Sequence, residues 1–286
     1  MSLDRIAAEV GAADVFVLHL VTPERLVNID GHGRGAGWAG NIDVDPAVET
    51  WIQRILDDGM LRTRYGMPHR VFGPYWSAET AGIRVGEHVV IFGGKGVAGR
   101  GEGDLRSAAE QAVALVDEVP VAKRLADDLE VAQAALSIAK MRSSDLDEAA
   151  RAIAQAAARA TSCEFGAILL YGPPLRLFLS EEGWFPSATE EEVISALLPI
   201  GAAVSGGLLV EQDMSESAFP YPPLAFEDGL VARCAVPLGK GGTLGLLAVA
   251  HSAAAPRGFT MLCQRVMRTI GDTAEEVLGA LVADPA

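Results

Sequence analysis

The sequence predicts an α+β protein built from two copies of one domain, and three observations carry that expectation. Its 286 residues exceed what one hydrophobic core ordinarily organises, so two domains of usual size fit the length better. The two halves repeat one order of elements: strand, proline turn, strand, helix, then a hairpin running into a long helix. Between them, from Asp104 to about Arg142, the chain is almost continuous helix former.

The elements follow in order. "DVFVLHLV" (14–21) reads as a strand, and "RLVNI" (25–29) follows after a Thr22-Pro23 turn signal. A glycine-rich stretch, "GHGRGAGWAGN", precedes a helix expected to be capped by Asp45, to open at Pro46 and to end at Gly59. "HRVFGPYW", "AGIRV" and "EHVVIF" read as short strands. In the middle, Leu105, Ala109, Ala112, Val116 and Val119 step by four and three, and after a stutter Ala122, Leu125, Leu129, Ala132 and Leu136 continue the pattern. Such a seam packs either on its own domain or on a partner helix, and its heptad spacing favours a partner helix in a dimer. Pro120 divides it into two helices or one kinked helix.

A second start signal lies at "SSDLDEAARAIAQAAARATS", with Ser144 or Asp145 as cap and Asp147 or Glu148 three residues on. Strands return at "EFGAILLYG" and "LRLFLSE". The helix "TEEEVISALLPI" carries its acidic residues in the first turn, where the helix dipole favours them. "GLLVEQ", "LVARCAVPL" and "GTLGLLAVAH" follow, and a helix from about Thr260 to Val282 closes the pattern.

The back half resembles a GAF domain. The resemblance rests on "DLDEAARAIAQAAARATSCEFGAILLY", on the hairpin "VARCAVPLGKGGTLGLLAVAH" with Val236-Pro237-Leu238 and Gly245, and on Phe259-Thr260 opening the last helix. The front half resembles the family by order of elements more than by letters; its hairpin lacks the Pro-Leu pair. The division this implies is a GAF-like domain at 1–118, connecting helices over 104–144 and a GAF domain at 145–286. The resemblance further implies a central antiparallel sheet in each domain, helices on one face carrying dimer contacts, and a small-ligand pocket on the other. It also implies membership of the bacterial sensory proteins, regulating a separate or attached output.

Composition excludes several functions. A net charge of −15 argues against sequence-independent nucleic-acid binding and against docking on an anionic membrane. No apolar run reaches the ~18 residues of a spanning helix, and "MSLDRIAAEV" lacks the pattern of a signal peptide. Cys163, Cys234 and Cys263 are too widely spaced for a metal clip, so a reducing cytoplasm is the expected location. The loop "GGKGVAG" (93–99) carries the letters of a dinucleotide fingerprint, but Arg100–Gly103 intervene before a cap at Asp104, and no second parallel strand follows. Neither a nicotinamide or flavin cofactor nor a metal is expected. The five histidines show no ligand spacing, and Cys234 falls on the apolar face of its strand, with Arg233 opposite.

Two segments are candidate binding surfaces. Residues 61–76, "LRTRYGMPHRVFGPYW", contain Arg62, Arg64, His69, Arg70, Tyr75 and Trp76 and no acid. In the family arrangement they fall near the connection covering the pocket, where arginine forks and aromatic faces suit an anionic planar ligand; a solvated loop or a domain interface is the plainer alternative. In the second half the comparable "SESAFPYPPLAFEDG" offers Phe219, Tyr221 and Phe226. The expected protein is a non-catalytic sensor or regulatory module, homodimeric through its helices, binding a small molecule or an output protein. The alternatives are a ligand-free dimerisation adaptor and a thiol or redox enzyme on the same scaffold.

Overall fold

The computed structural model describes residues 2–141, 145–180, 189–204, 207–217, 229–252 and 256–283. The chain divides into two compact units, Met1–Ala126 and Asp127–Ala286.

In the first unit the order is α1 (Leu3–Val10), β1 (Asp14–Thr22), β2 (Arg25–His32), α2 (Arg34–Gly37), β3 (Asp43–Val44), α3 (Thr50–Asp58), β4 (Met60–Phe72), β5 (Tyr75–Val85), β6 (His88–Gly93) and α4 (Glu102–Val113). The strands form one antiparallel sheet in the order β3-β2-β1-β6-β5-β4. Val15 and Val17 of β1 face α1 and α4, while Phe16 and Leu18 face a second cluster with Ile52 and Ile55 of α3. Both faces are covered, which is why β1 reads as a continuous apolar run rather than an alternation.

In the second unit α5 (Val121–Ala139), which begins in the first, is followed by α6 (Leu146–Ala160), β7 (Phe165–Leu170), β8 (Arg176–Leu179), α7 (Glu190–Val204), β9 (Leu209–Glu211), β10 (Leu230–Leu238), β11 (Gly245–Ser252) and α8 (Met261–Ala283). The sheet order is β8-β7-β11-β10-β9. Without the two-residue β3, the first sheet runs in the same order: second strand, first, last, then the two before it. One face of the second sheet packs on α5, α6 and α8, where Cys234, Val236, Leu247 and Val249 meet Ile153, Val266 and Ile270. The other face lies under α7, against Val193, Leu197 and Ile200.

Local chemistry explains the boundaries. Asp145 caps α6, its carboxylate accepting from the Asp147 and Glu148 amides; Ser144, the other candidate cap, lies outside the described residues. Thr189 and Glu192 exchange the reciprocal bonds of a capping box at α7. The Thr260 hydroxyl accepts from the Cys263 amide at the start of α8. Pro120 directly precedes α5, its carbonyl accepting from the Lys123 and Arg124 amides.

Three expectations are corrected. The helix expected from Pro46 begins at Thr50: the Asp45 carboxylate accepts from the Ala47 amide at 2.8 Å, closing a turn, and Glu49 leaves the helical region at φ −93, ψ 85. Residues 61–76, expected near a connection over a pocket with a strand only at "HRVFGPYW", are the edge strand β4 and its turn into β5. The first half of the helical seam belongs to its own unit: Leu105, Ala109, Ala112 and Val116 are buried against the first sheet and α1. Small residues let α4 lie close to the strands, and a heptad step does not distinguish that from a coiled-coil partner.

The Gly94–Gly99 loop turns the corner from β6 into α4. Gly94 and Gly96 hold φ of +143 and +96, which side chains disfavour. The Gly96 amide donates to Glu79 Oε2 at 2.6 Å, so an internal carboxylate occupies the donor that a phosphate cradle would present. Among the described residues no helix is long and apolar enough to cross a membrane.

Candidate ligand-binding site

The second unit carries a small, open apolar recess between its sheet and α7. Its floor comes from β7, β10 and β11, and its roof from Val193, Leu197 and Ile200 of α7. The sequence makes room there. Ala248 and Ala250 alternate with Val249 and His251 along β11, placing short side chains under α7 where larger ones would fill the gap. Phe165 and Leu230 also line it. A concave, mostly apolar site with a few placed polar groups is the usual form of a small-molecule pocket.

The charged wall is Arg233, 4% exposed. It stands opposite Glu211 in the β10–β9 register, and the two form an ion pair. The Arg233 guanidinium also donates to Ser217 Oγ at 3.0 Å, and that hydroxyl donates to Glu211. Charge is balanced inside the wall, so the recess offers shape and polarisable surface rather than an unscreened cation.

The residues singled out in 61–76 belong to the first unit, where they lie along β4 and the start of β5, with Arg70 opposite Trp76 in the strand register. Arg62 donates to the Arg100 carbonyl at 2.8 Å. Arg64 pairs with Glu79 at 3.0 Å, and Arg70 pairs with Glu49 at 2.7 Å. Tyr75 is fully buried among Phe16, Phe72 and Trp38. Its hydroxyl donates to Asp14 at 3.2 Å, and burial followed by the Asp14 charge pushes its pKa well up. His69 packs on Tyr65 with centroids 3.8 Å apart, and burial lowers its pKa. Trp76 is half-buried, and its carbonyl accepts from Arg34. Phe219, Tyr221 and Phe226 lie outside the described residues.

Sequence reasoning passed over the Arg233–Glu211 pair, taking Arg233 only as the outward neighbour of Cys234. One signal was present: a single charge inside "LVARCAVPL", otherwise an apolar strand of a buried sheet. A charge there needs a buried partner.

Residues 145–278 match the family model of the GAF domain. No curated protein matches the chain. Among solved structures, the GAF domain of a phosphoenolpyruvate-protein phosphotransferase from Acinetobacter is 16% identical, with 55% of this chain and 95% of that chain covered and a TM-score of 0.43. The free methionine-R-sulfoxide reductase of Neisseria meningitidis is 15% identical over 55% of this chain and 90% of that one, at 0.36. The chromophore-binding domain of a bacteriophytochrome from R. palustris is 11% identical over 94% of both chains, at 0.40.

Proposed function

Starting from a GAF domain at 145–278, we propose that the chain is a non-catalytic sensory or regulatory module that binds a small, largely apolar molecule in the recess under α7. The recess itself carries the reading: alanines hold space open beneath a helix, beside one neutralised ion pair. The first unit is a second GAF-like domain, a reading supported by the strand order it shares with the second. The module works in the cytoplasm and regulates a separate output protein. Ligand binding acts by differential affinity for two arrangements of the helical segment around α5, shifting their populations.

A panel of nucleotides and metabolites tested by thermal shift on the full chain examines this reading. A ligand at one hundred times its Kd adds about 2.7 kcal/mol, roughly 5–10 °C for a unit of this size. Such a shift is expected for at least one flat apolar compound and is expected to vanish in Ala250→Trp, which fills the recess. A panel without effect, or shifts that survive Ala250→Trp, would count for the ligand-free adaptor.

A homodimer through α5 has its own support. Leu125, Leu129 and Leu136 are 65%, 58% and 49% exposed and lie with Ala132 at steps of four, three and four, while the opposite side of the helix buries Asp127, Ala134 and Ile138. A second copy presenting the same seam covers it. Light scattering should show a dimer for the wild type and a monomer for Leu129→Glu, whose unfolding temperature as a monomer stays close to the parent's because the site is exposed. A monomeric wild type would exclude this arrangement, and so would a dimer unaffected by the substitution.

A further inference from the structure

On the face of the second sheet turned away from the recess, three side chains stand in a row. Cys163 Sγ lies 3.4 Å from His251 Nε2, and His251 Nδ1 lies 3.1 Å from Glu164 Oε2. They come from the turn before β7 and from the end of β11, 88 positions apart between Cys163 and His251, and strand pairing brings them together. His251 is 2% exposed, and the Phe259 ring packs against it with centroids 5.2 Å apart. The Glu164 carboxyl accepts a further bond from the Ser252 amide at 3.3 Å. Burial alone would raise the pKa of Glu164, but the hydrogen bonds from His251 and from backbone amides outweigh it and hold the group below its usual value. An ionised carboxylate only accepts, so Nδ1 donates to Glu164, and in the neutral ring the Nε2 lone pair faces the thiol. This is the ordering of nucleophile, base and orienting carboxylate that activates a weak nucleophile.

We propose that Cys163, His251 and Glu164 form a base-assisted thiol site oxidised by small hydroperoxides, a covalent input to this unit that does not depend on a ligand in the recess. Burial pushes the Cys163 thiol well above its ordinary range, so the resting sulfur is a protonated thiol facing the imidazole. As a hydroperoxide approaches, the thiol proton passes to Nε2 and the sulfur attacks one peroxide oxygen. The O–O bond breaks, and the departing oxygen takes the proton back from Nε2 and leaves as water or an alcohol. Sulfur is oxidised by two electrons to the sulfenic acid, the peroxide is reduced, and His251 is unchanged. A hydroperoxide suits the site because it is small and neutral, able to reach a mostly buried sulfur beside a carboxylate, and because its leaving oxygen needs the proton that the imidazolium holds. Cys263 is the internal control: it too is half-buried, but its sulfur accepts from the Thr260 hydroxyl at 3.2 Å instead of facing a base.

The test treats the full chain with hydrogen peroxide in the presence of a dimedone-type sulfenic-acid trap and follows each cysteine by peptide mass spectrometry. Cys163 should be trapped at least about 10-fold faster than Cys263. His251→Gln should slow Cys163 about 100-fold, the low end of general acid–base assistance, and leave Cys263 unchanged. Glu164→Gln, which removes only the positioning group, should slow Cys163 about 10-fold. Equal trapping of Cys163 and Cys263 in the wild type would overturn the proposal. So would an undiminished Cys163 rate in His251→Gln or, if that variant does not fold, in Glu164→Gln.

Discussion

Gly35→Ala is expected to abolish cooperative unfolding of the first unit while leaving the transition of the second in place. A Cβ on Gly35 would sit 2.7 Å from the Val15 carbonyl carbon and closer still to its oxygen. Nothing flexible can yield there, because the obstacle is the backbone of β1, in the middle of the sheet. The turn α2 is pinned from two sides: Asn28 Nδ2 donates to the Gly35 carbonyl at 2.7 Å, and Asp14 Oδ1 accepts from the Arg34 amide at 2.9 Å. Overpacking against such an obstacle costs about 3 kcal/mol or more. Gly37→Ala is the control, since a Cβ there meets nothing, and it should move stability by under about 0.5 kcal/mol. Trp38, Trp51 and Trp76, three of the four tryptophans, report the first unit by fluorescence in a urea titration. An unchanged midpoint for Gly35→Ala would mean that α2 does not rest on β1.

Arg233→Met is expected to destabilise the second unit by about 3–5 kcal/mol, the usual consequence of removing one partner from a buried pair. The Glu211 side chain is 12% exposed and would be left without its guanidinium partner. Pairing the substitution with Glu211→Leu removes both charges and should recover most of the loss, since an apolar pair of similar size often matches a buried ion pair. If the double variant is no more stable than Arg233→Met, the guanidinium contributes through packing and not through its charge on Glu211.

Much of the fold is legible because burial leaves a mark along the chain. The Asp145 cap, the acidic first turn of α7, and Thr260 opening α8 are local chemistry, and local chemistry is readable. The edge strand β4 is not. One of its sides has no strand neighbour, so Arg62 and Arg64 can lie along it toward solvent, as sheet edges favour, and the segment imitates a basic loop. The sequence displays those cations and Arg70 together, but the counter-charges Glu49 and Glu79 lie elsewhere and reach them only through strand register and chain reversal. For the same reason the Arg233–Glu211 pair and the Cys163–His251–Glu164 row escape a linear reading. Each joins residues that only the sheet makes neighbours. The seam of α4 and α5 shows the complementary limit: one heptad pattern serves a domain core in its first half and an exposed stripe in its second.

Methyl NMR on the full chain reads out whether a small molecule occupies the recess under α7. With the compound giving the largest thermal shift, the largest perturbations should fall on Val193, Leu197, Ile200 and Leu230, the residues lining the recess. Perturbations confined to the first unit or to the exposed stripe of α5, or a panel in which no compound binds, would mean that the recess is not a ligand site.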